Sequence, residues 1–417
     1  MNRWIRLSAA IVAMIMAGNQ QYAWTLFVQP IRASTGWKLS EVQLAFTLFI
    51  ALGTWAMPLS GWFIDRLGPR AFILFSGVLC GASWAGMGTQ NRTSLYVLYA
   101  LAGLGGVFVY AGGISVALKW FQDKRGLASG LVTAGFGSGA TLFNPLFGHL
   151  IRTINYRETF LYTGIAMGSL IVLAGLFLKE PPAGTVMAAA KPKKQVRRHT
   201  EEFSPGEMLR CPQFYILYVM MLMMGIGGLM ATAQVAPVMR NFQFGATALA
   251  ISLSLNPAAN GGGRIFWGWV SDHLGRERTM MVAFSLQAAS LAGVVTLGRL
   301  GEAWFVLIMG LVFFTWGELY VLFPAVLTDI FGTRNATTNY SILYTTKGVA
   351  SIPAGAIAAI LFESTGSWSP IFFGAAAMAL CSALGAIVVR KMPLPRKHRP
   401  AEVAAAVGQL RPSPQSD

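Results

Sequence analysis

Long apolar stretches, separated by short polar ones, run along the entire chain and determine its class. Each apolar stretch covers about 20 residues or more, which is the length that an α-helix needs to cross a bilayer. Alternating segments of about ten residues, which would indicate a membrane β-barrel, do not occur in the sequence. The pattern therefore predicts an all-α polytopic membrane protein.

Twelve predicted spans account for the apolar stretches. A signal peptide is the alternative for the first span, because Arg3 and Arg6 precede its apolar run. That run is longer than the roughly 7–15 residues of a signal-peptide core and lacks a convincing cleavage site, so we expect a retained helix. The predicted spans are 7–28, 40–64, 70–89, 94–118, 126–151, 159–179, 212–238, 247–271, 277–297, 302–328, 337–361 and 368–390.

Composition and charge agree with a membrane protein and predict its orientation. Only 12% of the residues are charged, against about 25% in soluble domains. The net charge of +16 does not indicate nucleic-acid binding, because the basic residues lie between apolar spans rather than on one soluble face. Of the 32 Lys and Arg residues, 23 fall in one alternate set of loops. The positive-inside rule therefore places both termini and the long central loop in the cytoplasm.

An internal repeat relates the two halves of the chain. The segment GWFIDRLGPR at 61–70 matches GWVSDHLGRER at 268–278, and both follow an even-numbered span. Paired motifs at one constant offset are typical of transporters built from two bundles, with the substrate site between the bundles near the bilayer midplane. The repeat therefore predicts alternating access, in which the bundles rock against each other.

The repeat and the long central loop predict the domain boundaries. We expect an N-terminal six-helix bundle at 1–179 and a C-terminal six-helix bundle at 212–391. The linker at 180–211 is rich in Pro, Lys and Arg, which is typical of a flexible tether that can lie on anionic lipid headgroups, although a regulatory site is an alternative. The tail at 392–417 is rich in Pro and Ala, and we expect it to be disordered and cytoplasmic.

The repeated motif also supplies a predicted conformational gate. Glycines permit close approach of two helices, and a carboxylate can pair with an Arg or meet the positive N-terminus of a helix. A role in loop capping and topology is the alternative. The predicted gate residues are Gly61, Asp65, Arg66, Arg70, Gly268 and Asp272.

Two basic residues lie deep inside predicted spans and indicate an anion site. Arg264 lies in the eighth span and Lys347 lies near the middle of the eleventh. A charge at this depth costs about 2.5–3.5 kcal/mol on insertion scales, and nothing in local sequence offsets that cost. A side chain that only snorkels to the interface would lie near a span end. We therefore expect Arg264 to grip a carboxylate bidentately and Lys347 to act as a compact point charge.

Polar and aromatic residues on the same helix faces complete the predicted substrate site. Asn256, Asn260 and Arg264 recur every four residues, so they share one face. Packing, interfacial aromatics and hydrogen bonds between helices are the alternative roles for the neutral members. The predicted substrate-binding residues are Arg264, Lys347, Gln21, Tyr22, Gln43, Tyr110, Trp316, Tyr320, Tyr344 and Asn260.

Several segments of the sequence resemble those of known families. The G-x-x-x-D-R-x-G-x-R signature at 61–70, with its copy GWVSDHLGRER at 268–278 and RGLASG at 125–130, resembles the major facilitator superfamily. NQQYAWTLF, NGGGRIFWGWVSD, FFTWGELYVLFP and YTTKGVAS are similar to segments of the oxalate/formate antiporter family. The paired basic residues of that family match Arg264 and Lys347. The resemblance implies exchange of oxalate for formate in a bacterial cytoplasmic membrane by a monomer that contacts only lipid and small carboxylates.

Two residues depart from the pattern of that family. Tyr344 stands where the closest family members carry a Trp, so the cavity and its hydrogen bonds can differ. Glu318 stands where they carry a Gly, and it is the only acid well inside a span. If Glu318 reached the cavity and ionised, the site charge would fall from +2 to +1; if it titrated, transport could be coupled to protons. A neutral Glu packed between helices is the alternative.

No cofactor, metal or catalytic centre is expected. His149, His199, His273 and His398 lie near span ends or in loops, and the three cysteines, Cys80, Cys211 and Cys381, form no CxxC motif. No nucleophile–base pair lies inside the spans, so an enzyme is the least favoured class. A proton-coupled or uniporting carrier of another small carboxylate, and an anion-sensing receptor on a transporter scaffold, remain the alternatives to exchange.

Overall fold

Helices joined by short turns make up the described part of the molecule. The computed structural model describes residues 3–37, 39–181 and 201–396, so most of the predicted linker and tail lie outside the described residues. The α-helices are α1 (Arg3–Tyr22), α2 (Trp24–Thr35), α3 (Leu39–Trp55), α4 (Met57–Leu67), α5 (Pro69–Ala85), α6 (Arg92–Trp120), α7 (Arg125–Ile154), α8 (Tyr156–Phe177), α9 (Pro205–Met208), α10 (Pro212–Asn241), α11 (Ala246–Leu274), α12 (Arg276–Val295), α13 (Glu302–Trp316), α14 (Leu319–Phe331), α15 (Ala336–Tyr344), α16 (Thr346–Ile352), α17 (Ala358–Thr365) and α18 (Ser369–Lys391). A π-helical segment, Pro353–Ile357, joins α16 to α17.

Each predicted span corresponds to one helix or to a series of helix segments. Within the described ranges, nine helical stretches are long and apolar enough to cross a membrane, and α3 with α4 forms a tenth that bends by 46°. The other two spans are α1–α2 and α11. Both carry polar residues on inward positions, Asn19 and Gln20 in α1 and Asn260 and Arg264 in α11, and these lower the mean apolarity. The first span also continues to Thr35, seven residues beyond its predicted end.

Two tight turns explain the second glycine of each copy of the repeated motif. Gly68 separates α4 from α5 with φ +81°, and Gly275 separates α11 from α12 with φ +93°. Glycine adopts positive φ at little cost, whereas other L-residues rarely do. Each turn reverses the chain within one residue at the end of the repeated motif. We call the end of the molecule that contains these turns and the start of α10 the linker side.

The two bundles meet through two equivalent helix crossings on the linker side. In one crossing α7 packs on α11, and a Cβ at Gly126 or Gly268 would clash with the main chain of the other glycine. In the other crossing α4 packs on α15, and a Cβ at Gly61 would clash with Thr337 and Ser341. The repeated glycines, Gly61 and Gly268, are therefore two points of close backbone contact between the bundles. Close backbone contact of this kind depends on residues without a side chain.

The end of the predicted linker differs from the expected flexible tether. Residues 201–211, which we call the strap, pack on the turn between α14 and α15. Phe203 is buried, its N–H donates to the Phe331 carbonyl at 2.9 Å, and its own carbonyl accepts from the Asn335 amide at 3.0 Å. The Glu202 carboxylate accepts from the Arg334 N–H at 2.6 Å. Apolar Phe203 and the hydrogen bonds of Glu202 hold this part of the linker in place, although overall composition suggested a loose chain.

A bulkier residue at the α7–α11 crossing should hold the linker side open. Gly268→Val places a branched side chain against the Gly126 carbonyl. Overpacking of this kind costs about 1–3 kcal/mol, which corresponds to about a 5- to 150-fold shift between two conformations. We expect faster alkylation of a cysteine introduced at buried Ser129, in a background without native cysteines, and slower transport.

Gly262→Val is the matched control for this prediction. Gly262 lies on the same helix, and a Cβ there meets no atom within 4 Å. The control should leave alkylation and transport close to the wild-type values. Equal effects of the two variants would show that helix propensity, rather than the crossing, is responsible.

Candidate functional site

Arg264 and Lys347 meet at one aromatic ring between the bundles. The Arg264 guanidinium carbon lies 4.8 Å from the centre of the Tyr320 ring, and the Lys347 ammonium lies 5.9 Å from the same centre. Both cations are stabilised by the negative face of the ring, but such contacts contribute only about 0.5–2 kcal/mol. Neither cation has a carboxylate partner among the described residues. The site thus carries two positive charges that the described side chains do not neutralise.

The Arg264 guanidinium is held in place by two hydrogen bonds and keeps unused N–H donors. Its Nε–H donates to Asn260 Oδ1 at 3.0 Å, and Nη1 donates to the Thr133 carbonyl of the opposite bundle at 2.7 Å. A guanidinium has five N–H donors. One Nη1 hydrogen and both Nη2 hydrogens therefore have no described acceptor. Guanidinium groups commonly bind carboxylates through two parallel N–H donors of this kind.

Asn260 is engaged by its own bundle. Its amide oxygen accepts from Arg264, and its amide nitrogen donates to the Phe313 carbonyl at 3.2 Å. Adjacent packing is tight, because a Cβ at Gly317 would clash with the Asn260 carbonyl. This geometry favours a positioning role for Asn260, in which it orients Arg264, over the predicted direct contact with substrate.

Lys347 follows a break in its helix. Helix α15 ends at Tyr344 and α16 begins at Thr346. The Thr345 hydroxyl donates to the Ile342 carbonyl at 2.7 Å, which satisfies a main-chain acceptor at the end of α15. The Lys347 ammonium donates to the Tyr344 hydroxyl at 3.2 Å. The break therefore brings the ammonium of α16 next to the last aromatic residue of α15.

A cavity lies beside Lys347 and receives side chains from both bundles. Four predicted site residues line it, namely Gln21, Tyr110, Tyr344 and Lys347. Tyr320 and Tyr22 are not among its lining residues but contact the lining rings of Tyr344 and Phe136. Arg264 and Trp316 lie behind them, against the Tyr320 ring. Gln43 lies in α3, and its side chain is outside the described residues. The other lining residues include Phe49, Ile50, Thr54, Val107 and Phe136.

Aromatic rings form the wall of the site across the bundle interface. Tyr110 of the N-terminal bundle and Tyr344 of the C-terminal bundle have ring centres 5.3 Å apart. Tyr344 also lies 6.0 Å from Tyr320, which in turn lies 5.8 Å from Trp316. Rings at these distances exclude water and strengthen the electrostatic interactions of the enclosed charges. The predicted aromatic residues of α6, α13, α14 and α15 are thus brought together.

Phe136 and Thr133 belong to the site but were missed by sequence reasoning. The Phe136 ring lies 5.3 Å from Tyr110 and 6.2 Å from Tyr22, so it connects these two predicted residues. Phe136 is the only large side chain in the GFGSGA segment, and that isolation was an available signal. Thr133 acts through its main-chain carbonyl, which no side-chain pattern reveals.

Glu318 does not reduce the charge of the site. Its side chain is 0% exposed, and both carboxyl oxygens lack a hydrogen-bond partner among the described residues. A buried carboxylate without a partner is costly, so the neutral acid is the form that suits this environment. Glu318 is two residues from Trp316 and from Tyr320, about 200° around a helix from each. The structure thus favours the alternative of a packed, neutral Glu.

The predicted gate aspartates bridge the two bundles in equivalent ways. Asp65 at the end of α4 accepts from the Thr338 N–H in the first turn of α15 at 2.7 Å. Asp272 at the end of α11 accepts from the Gly126 and Leu127 N–H groups in the first turn of α7, at 3.1 and 2.9 Å. Each carboxylate also benefits from the positive end of the helix that it caps. These bonds hold the linker side closed.

The basic residues of the gate differ from those expected. Arg66 and Arg70 are exposed, and Arg66 stacks on Trp62 at 4.0 Å rather than pairing with an acid. Both arginines come after Asp65 in the chain but lie on other faces of the turn, so their side chains point to the surface. Other cations contact the gate carboxylates: Lys119 lies 3.0 Å from Asp65, and Arg276 lies 2.6 Å from Asp272. A further carboxylate, Asp329, lies 3.0 Å from Arg276 and pairs with Arg125 across the bundles.

Replacing Glu318 with its neutral isostere should leave transport nearly intact. Because the buried acid is neutral and outside the cavity, Glu318→Gln should change the exchange rate by no more than about two-fold, with the same pH profile. Asp272→Asn is the matched control: it removes the charge that caps α7 and pairs with Arg276, and it should slow exchange at least about ten-fold. Loss of transport in Glu318→Gln, or a shifted pH profile, would contradict a neutral spectator role.

Comparison with known proteins agrees with this architecture. Residues 9–355 match the family described as Major Facilitator Superfamily. A proton:xylose symporter of that superfamily, bound to 6-bromo-6-deoxy-D-glucose, superimposes with a TM-score of 0.71 over 94% of this chain and 96% of that chain, at 11% identity. The structural likeness confirms the predicted twelve-helix, two-bundle fold.

Relatives of similar length narrow the family. The chain is 23% identical to apicoplast pyruvate carrier 1 of Toxoplasma gondii, over 87% of this chain and 77% of the relative. It is 38% identical to the oxalate:formate antiporter of Oxalobacter formigenes, over 95% of this chain and 94% of the relative. The chain therefore belongs to the major facilitator superfamily and, within it, to the oxalate/formate antiporter family, so it is a membrane transporter and not an enzyme.

Proposed function

We propose that this protein exchanges oxalate for formate by alternating access to a single site. The observation that carries this proposal is the pair of unneutralised cations, Arg264 and Lys347, which share the ring of Tyr320 between the bundles. The relative that is 38% identical over 95% of the chain is an oxalate:formate antiporter, which supports the same substrates here.

The charge of the site explains why exchange is favoured over leak. Oxalate carries two negative charges and neutralises both cations, whereas formate leaves one positive charge and an empty site leaves two. Closing the bundles removes the site from water, and burying an unpaired charge is costly. An occupied carrier therefore changes conformation more easily than an empty carrier does.

The bonds of the gate support a conformation closed on the linker side. Asp65 and Asp272 each cap a helix of the opposite bundle, and Arg125 pairs with Asp329 across the bundles. The excess of Lys and Arg in the loops on this side supports a cytoplasmic position for it and for both termini, and the relative from Oxalobacter formigenes supports a bacterial cytoplasmic membrane. The conformation would then be one whose site is closed toward the cytoplasm, in a monomer surrounded by lipid.

The geometry does not favour the alternatives. A proton-coupled carrier of another carboxylate needs a titrating group at the site, and Glu318, the acid that lies well inside a described span, is buried and does not line the cavity beside Lys347. An anion sensor needs binding without flux. The paired gate contacts support a molecule that moves between two conformations.

Exchange is tested directly in proteoliposomes that contain the purified protein and are loaded with unlabelled oxalate. Labelled oxalate should enter rapidly only when the vesicles contain oxalate or formate, and a panel of C1–C4 acids inside the vesicles gives the counter-substrate range. Uptake into empty vesicles at the same rate would contradict exchange. Uptake driven by a pH gradient alone would favour the proton-coupled carrier, and binding without uptake would favour the sensor.

Removing one cation should abolish transport of the dianion. In Lys347→Gln the site retains a single charge, so oxalate exchange should fall by about 10- to 100-fold, the range expected from loss of a hydrogen bond to a charged group. Lys391→Gln, an exposed lysine at the end of α18, is the matched control and should behave as wild type. Oxalate exchange at the wild-type rate in Lys347→Gln would show that the paired-charge site is wrong.

A further inference from the structure

The hydroxyl of Tyr344 has a spare hydrogen beside the Lys347 ammonium. We propose that Tyr344 and Lys347 together form a subsite for the second carboxylate of a dicarboxylate, and that the Tyr344 hydroxyl makes the site prefer dicarboxylates over monocarboxylates. This inference rests on the proposed function and assigns to one hydroxyl group a role in selectivity.

The Tyr344 hydroxyl lacks an acceptor for its hydrogen among the described residues. Lys347 carries three N–H donors and no acceptor, so in the 3.2 Å contact the ammonium donates and the Tyr344 oxygen accepts. The O–H hydrogen of Tyr344 must then find another acceptor. No described residue accepts it, and Tyr344 is only 6% exposed. A buried donor without an acceptor is unfavourable, and a substrate carboxylate beside Lys347 would satisfy it.

The position of the hydroxyl is set by the surrounding rings. The Tyr344 ring contacts Tyr110 at 5.3 Å, Tyr320 at 6.0 Å and Tyr340 at 5.8 Å between centres. These contacts leave the ring little freedom to turn away. Tyr344 and Lys347 also line the same cavity, on either side of the helix break at Thr345. The ammonium and the hydroxyl are therefore arranged in advance as two adjacent donors, which lowers the entropic cost of binding.

Arg264 provides a separate place for the first carboxylate. Both Nη2 hydrogens and one Nη1 hydrogen remain after the bonds to Asn260 and Thr133, and Arg264 is not among the residues that line the cavity beside Lys347. A monocarboxylate can neutralise only one of the two cations at a time. A dicarboxylate can bind the Arg264 guanidinium with one end and the Lys347–Tyr344 pair with the other. Loss of the Tyr344 hydroxyl should therefore affect dicarboxylates selectively.

Tyr344→Phe tests this subsite because it removes the hydroxyl and keeps the ring. In proteoliposomes we expect the KM for oxalate to rise about 10- to 100-fold, with little change in the maximal rate and a KM for formate within about two-fold of wild type. The purified variant should also lose most of the rise in melting temperature that oxalate produces in the wild type. This second readout needs no transport and also verifies that the variant is folded.

Tyr340→Phe is the matched control. Tyr340 lies on the same helix in the same ring cluster, and its buried hydroxyl lies beside that of Tyr110, but it does not line the cavity. It should change the two KM values equally or not at all. An unchanged oxalate KM in Tyr344→Phe, or equal changes for oxalate and formate, would overturn the selectivity role while leaving exchange intact. Absence of exchange in the wild type would instead overturn the proposed function.

Discussion

The proposed exchange depends on two positive charges that lie between the helical bundles and have no carboxylate partner among the described residues. Arg264 is 4% exposed, and Lys347 lies beside the same Tyr320 ring. Cation–π contacts and hydrogen bonds to neutral groups lower the cost of these charges but do not remove it. A small dianion can remove it, so binding and closure of the bundles become linked. The electrostatic cost that would destabilise an ordinary membrane helix thus favours binding of a dianionic substrate.

One helix connects the substrate site to the gate. Three residues of α11, spaced four apart, contact α7. Arg264 bonds to the main chain of α7, Gly268 touches Gly126, and Asp272 caps the first turn of α7. A carboxylate that draws Arg264 away from the Thr133 carbonyl therefore acts on the same α7–α11 interface that the gate holds together. The equivalent crossing of α4 and α15 is bridged by Asp65. Helix α15 ends at Tyr344, so this crossing is also connected to the substrate site.

Sequence reasoning recovered the features that belong to single helices. The twelve spans follow from apolar length, the repeat places Gly61 and Gly268, and two unexplained charges mark the site. It could not recover features that depend on which helices meet. The Thr133 carbonyl, the Arg125–Asp329 pair and the caps at Thr338 and Gly126 involve main-chain atoms or distant partners. The strap was missed because its overall composition obscures one buried Phe and one capping Glu.

The charge moved in one exchange cycle tests the central claim most directly. In proteoliposomes loaded with formate, valinomycin and a K⁺ gradient set the membrane potential while uptake of labelled oxalate is measured. A carrier that takes in a dianion, returns a monoanion and moves no co-ion carries one net negative charge inward per cycle. An inside-positive potential should therefore accelerate oxalate uptake against formate, and self-exchange of oxalate should not respond. Oxalate–formate exchange that is independent of potential would contradict exchange of a bare dianion for a monoanion, since a cation such as H⁺ would then have to accompany the dianion.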